Sequence, residues 1–180
     1  RLDLAGPFVV VSPRVGATAQ LPWGFELRAS AGQASRAPSF SELYVPSGTL
    51  LPNPGLRPER ALGADLAVGW RRGVLSVTAT GFGTLYQDLI SYEYYPPSLA
   101  RPYNFEAARV AGLELEAHAR PLPWLELSAA YTFSSSANLK EDPRWYGKAL
   151  PMRPEHQLHA RAAGGTDRVQ GTVELTYQSA

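Results

Sequence analysis

The chain has 180 residues, a formal net charge of +1 and no cysteine. Nearly balanced acids and bases without a basic run give nucleic-acid binding no electrostatic support, and the absence of thiols excludes a disulfide scaffold or a thiolate metal site. No stretch approaches 18 consecutive apolar residues, so no transmembrane helix is expected; Arg1 opens neither an n-region nor an h-region, so no signal peptide is expected either, and the chain is expected to be a fragment of something longer.

The predicted elements are strands. A weak one is expected around Pro13–Gln20. Phe25–Ala31 sets Phe25, Leu27, Ala29 and Ala31 against Glu26, Arg28 and Ser30, which is period-2 alternation. The same period recurs in Leu62–Trp70, Val74–Tyr86, Leu113–Ala119, Leu125–Phe133, His156–Ala162 and Val169–Tyr177. Ala107–Ala119 is rich in alanine, but its apolar residues fall at every second position and not at helical spacing. Short turns are predicted at Leu21–Gly24, Arg71–Gly73, Pro121–Trp124 and Gly164–Asp167. Long connections are predicted at Ser35–Glu59, about Ser91–Tyr103 and Ala137–Met152. Alternating short and long connections predict successive antiparallel hairpins with all long loops at one end, the layout of an outer-membrane β-barrel.

A soluble β-sandwich also alternates, but its polar faces tolerate lysine. Here Lys140 and Lys148 are the only lysines, and both fall in a long connection. The polar faces carry Glu, Asp, Thr, Ser, Gly and Gln, which suits a hydrated lumen. Trp23, Phe25, Trp70, Trp124, Tyr131, Phe133 and Tyr177 collect toward strand ends, where interfacial girdles lie. The fold class is therefore all-β: an antiparallel transmembrane β-barrel segment of about eight strands. Eight strands can also close a small barrel, so a self-contained porin-like or structural barrel stays open on patterning alone.

Several motifs carry a resemblance. Arg36-Ala37-Pro38-Ser39-Phe40 with Glu42-Leu43-Tyr44, and Asn53-Pro54-Gly55-Leu56-Arg57-Pro58-Glu59, occur in that order. Tyr86-Gln87-Asp88-Leu89-Ile90, Asn104 with Ala107 and Gly112-Leu113-Glu114-Leu115-Glu116, Pro121-Leu122-Pro123-Trp124-Leu125, Ala130-Tyr131-Thr132 and Arg153-Pro154-Glu155-His156 follow. Together they resemble the C-terminal part of the barrel of TonB-dependent outer-membrane receptors. The resemblance covers most of the chain and implies one partial barrel domain over residues 1–180 in the bacterial outer membrane, with no plug or TonB box visible. It implies as partners the lipid bilayer, a plug domain of the same parent chain, TonB, and a nutrient chelate such as an iron-siderophore or cobalamin. No histidine lies between Arg36 and Asn53, which lowers a haem assignment.

Within this family the two Pro-rich motifs are expected to serve architecture: Arg36, Ala37, Pro38, Glu42, Tyr44, Asn53, Pro54, Leu56, Pro58 and Glu59 brace the strand ends. The ligand contacts are expected from loop aromatics and cations, namely Tyr92, Tyr94, Tyr95, Tyr103, Arg144, Trp145 and Tyr146, which could hold an anionic chelate by stacking and charge. No catalytic residue, cofactor or metal ligand is predicted. His156 and His159 face opposite sides of a strand, and Asp65, Glu114 and Glu116 belong to the lumen. An outer-membrane hydrolase would need a Ser/His/acid cluster that includes one of His118, His156 or His159.

Overall fold

The computed structural model describes all residues except 1, 6, 7, 97, 140–145, 151, 152, 167 and 180; at 2–5, 105 and 106 the backbone alone is described. A short hairpin comes first, from β1 (Leu2–Ala5) and β2 (Phe8–Val11). Eight strands then form one antiparallel meander: β3 (Arg14–Leu21), β4 (Phe25–Arg36), β5 (Glu59–Arg72), β6 (Leu75–Tyr95), β7 (Leu99–Leu122), β8 (Leu125–Asn138), β9 (His156–Gly165) and β10 (Gln170–Gln178). Each pairs with the next, so β3 and β10 are the two edges. The only helix longer than a single 3-10 turn among the described residues is α1 (Phe40–Leu43).

Register converts the alternation of each strand into two continuous faces. Leu27 pairs with Val68, Val68 with Ala79, Ala79 with Leu115, Leu115 with Tyr131, Tyr131 with Leu158 and Leu158 with Tyr177. One face is thus apolar from β3 to β10. The other carries Glu26, Glu59, Asp65, Glu114, Glu116, Glu126 and Glu174 beside Thr78, Thr80, Thr84 and Thr132. Exposure inverts what a water-soluble sheet would show. Leu66 and Val68 are 53% and 45% exposed, whereas Ala67 between them, on the polar face, is 6% exposed. The apolar face needs hydrocarbon as its solvent, and the polar face lines the interior.

The short turns fall at one end, as expected. At the first, Gly24 has φ 85 and lies so close to β5 that a Cβ would sit 2.2 Å from the Arg71 carbonyl oxygen. Phe25 and Trp70 are register partners there, with ring centroids 6.4 Å apart. Toward the other end of the apolar face, Phe133 and His156 lie 5.3 Å apart, and the Tyr131 hydroxyl meets His156 Nδ1 at 2.8 Å. The two aromatic groups bound the apolar band from below and above.

The structure departs from the sequence expectations at three places. The Ser91–Tyr103 connection is not a loop: β6 continues to Tyr95, β7 starts at Leu99, and Ser91 is the register partner of Tyr103. β6 and β7 have 21 and 24 residues, about twice the 9–11 needed to span a bilayer. Their upper parts leave β5 and β8 behind at Gln87 and Ala108 and stand as a two-stranded arm. Tyrosine-rich sequence favours strand here, and outside the lipid no apolar alternation is required to form one. The Ser35–Glu59 loop shrinks to 37–58, since β4 reaches Arg36. The β1–β2 hairpin was unforeseen, although Gly6-Pro7 between two apolar runs is a turn signal.

Candidate functional site: the outer-end brace

The loop between β4 and β5 folds onto one face of the arm. Its anchor is Arg36, the last residue of β4, opposite Glu59, the first of β5. Arg36 donates from Nε to Glu59 Oε2 at 2.6 Å and from Nη2 to Glu59 Oε1 at 2.9 Å, the two-pronged geometry that suits a guanidinium. A longer contact of 3.4 Å reaches Glu42 Oε2. Glu42 lies in α1 and is buried. Its carboxylate accepts from the Ser39 N–H at 2.6 Å while Ser39 Oγ accepts from the Glu42 N–H at 3.3 Å, a reciprocal cap that lets a four-residue helix exist.

The same carboxylate reaches the arm. Tyr92 donates its hydroxyl to Glu42 Oε1 at 3.0 Å, and the Ile90 N–H donates to Glu59 Oε1 at 2.7 Å. Burial pushes the Glu42 carboxyl up, but hydrogen bonds from Ser39 and Tyr92 and the Arg36 charge outweigh it and hold it below its ordinary range. Glu59, at the outer rim above the apolar band, shows the same balance, with Arg36 and the Ile90 N–H overcoming burial. Arg36 is raised, chiefly by its bonds to Glu59. The Tyr92 phenol is pushed up by burial and by its bond to Glu42.

The second motif completes the brace. The Asn53 N–H donates to the Glu42 carbonyl at 2.7 Å, joining the two motifs. Asn53 Nδ2 donates to the Pro102 carbonyl at 2.9 Å, and its Oδ1 accepts from the Gly55 N–H at 3.0 Å. Ala100 bonds the loop backbone on both sides of Leu50: the Leu51 N–H donates to the Ala100 carbonyl and the Ala100 N–H to the Thr49 carbonyl, both at 2.8 Å. Leu43 and Leu56, each 2% exposed, and Pro102 fill the space between loop and arm. Pro38 is buried, Ala37 and Pro58 are half-buried, and Pro54 is exposed. Tyr44 is exposed and packs on Phe40, with rings 5.4 Å apart.

A clamp sits at the base of the arm, built from Arg57, Asp88 and Asn104, which stand in three separate motifs of the sequence. Asp88 has φ 54, a left-handed conformation that is unusual for a non-glycine residue and that Asp tolerates better than most. Asn104 Nδ2 donates to the Asp88 carbonyl at 2.7 Å and to the Arg57 carbonyl at 2.9 Å. Asn104 Oδ1 accepts from the Arg57 N–H at 2.8 Å, and Arg57 Nη2 meets Asp88 Oδ1 at 2.6 Å.

The predicted aromatics separate. Tyr92, on the loop-covered face with Pro102 and Ala100, has its hydroxyl committed to the brace. Tyr95 and Tyr103 are on the other face with Glu93 and Arg101, and Tyr95 donates to the Glu93 carboxylate. Tyr94 and Tyr146 are strongly exposed. Arg144 and Trp145 lie outside the described residues. Of the histidines, His156 packs on Tyr131 and Phe133 on the apolar face, His159 contacts Thr176 Oγ1 on the polar face, and His118 makes no hydrogen bond to its register partners Ser76 and Ser128. Among the described residues no group of three His, Asp or Glu could hold a metal.

Residues 5–179 match the family model described as TonB dependent receptor-like, beta-barrel. The chain belongs to the TonB-dependent receptor barrel family. Its barrel strands therefore sit in the bacterial outer membrane. It is 29% identical over 93 residues to the vitamin B12 transporter BtuB of Vibrio vulnificus, covering 51% of this chain and 15% of that protein. BtuB of Photobacterium profundum is 28% identical over 96 residues, with the same shares. Among solved structures, a ferric enterobactin receptor PfeA superposes with a TM-score of 0.76 at 19% identity, over 93% of this chain and 28% of that one. The siderophore receptor PirA from Acinetobacter baumannii does so at 0.73 and 16%, over 92% and 28%. The chain thus spans well under a third of the length of these relatives. Their names describe transporters and receptors.

Proposed function

We propose that the chain forms one stretch of wall and the braced outer loops of a TonB-dependent receptor that takes up a scarce metal chelate, an iron-siderophore or cobalamin. What supports this best is the pairing of an eight-stranded wall, apolar outside and polar inside, with an arm held rigidly above it by the Arg36–Glu42–Glu59–Tyr92 network. A porin-like wall needs no such post over its mouth. In this account β3 and β10 pair with further strands of the parent chain, because open sheet edges do not occur in lipid. A plug from the same parent chain fills the polar interior, and TonB acts on that plug.

The ligand contacts fall to Tyr94, Tyr95, Tyr103 and Tyr146, with Arg101, Arg144 and Trp145. Tyr92 holds the arm. The sequence relatives carry vitamin B12 in their names and the fold neighbours carry siderophores, so both cargoes enter the test. Cells lacking the intact receptor are supplied with radiolabelled cobalamin or ferric catecholate siderophores, with and without TonB. Receptor- and TonB-dependent accumulation of one cargo is the expected result. Passive, TonB-independent leakage of small solutes would instead support a porin.

A further inference from the structure

The apolar face offers a test of what else touches this protein. Following the register, the lipid-facing positions of β3 to β10 below the arm hold no carboxylate, and their only arginines are Arg60, Arg72 and Arg109; Glu93 and Arg101 continue the same face in the arm, above the lipid. Arg72 is at the short-turn end, opposite Leu75. Arg60 and Arg109 are at the outer end: Arg60 is one step along the face beyond Leu62 and Leu85, and Arg109 is in register with that pair and two steps beyond Leu113. Arg60 pairs with Gln87 and Arg109 with Leu85, so the two arginines flank β6 with the Gln87 amide between them. Strand spacing and a two-residue offset put their Cα atoms about 12 Å apart, within reach of one headgroup by two long side chains.

Both guanidinium groups are exposed, and neither makes an ion pair or hydrogen bond among the described residues. The contrast with their neighbours is informative. Arg36 and Arg57, at the same height, are both engaged by carboxylates, and those carboxylates are thereby unavailable to Arg60. Two unneutralised cations, on a face that hydrocarbon must cover, at the level where hydrocarbon ends, call for an anionic partner from the membrane itself.

We propose that Arg60, Gln87 and Arg109 form a docking site for a phosphate-bearing headgroup of an outer-leaflet lipid, fixing the height of the barrel in the membrane on the side of the arm. The guanidinium groups take the phosphate oxygens and the Gln87 amide adds a neutral donor. The proposal rests on the lipid-facing assignment of this sheet face and not on the identity of the cargo.

The test uses the intact receptor in detergent micelles, titrated with phosphatidylglycerol or phosphatidylcholine and followed by native mass spectrometry. Phosphatidylglycerol retention should fall about fivefold for Arg60→Gln or Arg109→Gln and about 25-fold for the pair, while Arg72→Gln, at the other rim, leaves the outer site unchanged. The Lys/Lys variant should recover most of the retention, and added salt should erase the difference between the two lipids. Equal retention by the Gln/Gln variant, or displacement of the lipid by millimolar inorganic phosphate, would overturn the proposal. Labelled-cargo uptake by the same variants reports on the transport assignment separately, because lipid retention is read without cargo.

Discussion

Glu42→Ala is the substitution that most sharply separates a brace from a passive loop. Glu42 is 6% exposed, and its carboxylate accepts from the Ser39 N–H and the Tyr92 hydroxyl while facing Arg36. Losing the reciprocal cap costs about 1 kcal/mol. Losing the charge-assisted bond from Tyr92 adds about 1.5 kcal/mol, toward the low end of such bonds because the phenol can turn to water. The Arg36 contact is half-exposed and adds at most a few tenths. The loop–arm contact should weaken by about 2–3 kcal/mol, which raises local opening about 30- to 150-fold. Amide hydrogen exchange of the intact protein in lipid nanodiscs reads this directly. The Leu51 and Ala100 amides, bonded across the contact, should exchange faster by that factor, while Ala79 and Leu115 in the wall should not change. Unchanged exchange at Leu51 and Ala100 would refute the idea that Glu42 joins loop to arm. Tyr92→Phe should give about 1.5 kcal/mol of the same effect, and in the double variant it should add little to Glu42→Ala.

Further outcomes follow from the same geometry. The Glu42 and Glu59 carboxyls are held below their ordinary range, so their contribution is complete above the unfolded value and lost as pH falls through the folded one. Protection of Leu51 and Ala100 should therefore be flat from pH 8 to about 5 and decline below about 4. Asn104→Ala removes three hydrogen bonds around Asp88 and should loosen the arm base by about 2–4 kcal/mol, read as faster exchange at Arg57 and Ile90 without loss of the wall. Leu66→Lys should cost about 2–4 kcal/mol in lipid-vesicle refolding titrations, whereas Thr80→Lys on the interior face should cost far less.

The wall was legible because lipid imposes it. A strand between hydrocarbon and water must alternate, and Leu62–Trp70 or Leu125–Phe133 display that rule without ambiguity. The arm was not legible for the same reason. Above the membrane both faces of Ser91–Tyr103 meet water or protein, so no alternation marks them as strand. Pro102 is tolerated within β7 because no strand pairs with that side of the arm; its carbonyl is used by Asn53. The brace was half legible. Motif residues Arg36 and Glu59 become partners through strand register, but Tyr92 is 50 residues from Glu42 in sequence and no local signal joins them. Asp88 and Asn104 stand in separate motifs, and the sequence does not say that the Asn104 amide bonds the Arg57 and Asp88 backbone.

The claim on which everything else stands is that odd and even positions of the strands face different solvents. A nitroxide scan of single cysteines from 60 to 71 in β5 of the intact protein, in liposomes, tests it directly. Oxygen accessibility should peak at Leu62, Leu66 and Val68, and accessibility to a water-soluble nickel chelate at Gly63, Asp65 and Gly69, with the two profiles out of phase by one residue along the strand. In-phase profiles, or uniform access to the water-soluble reagent on both faces, would contradict the membrane wall.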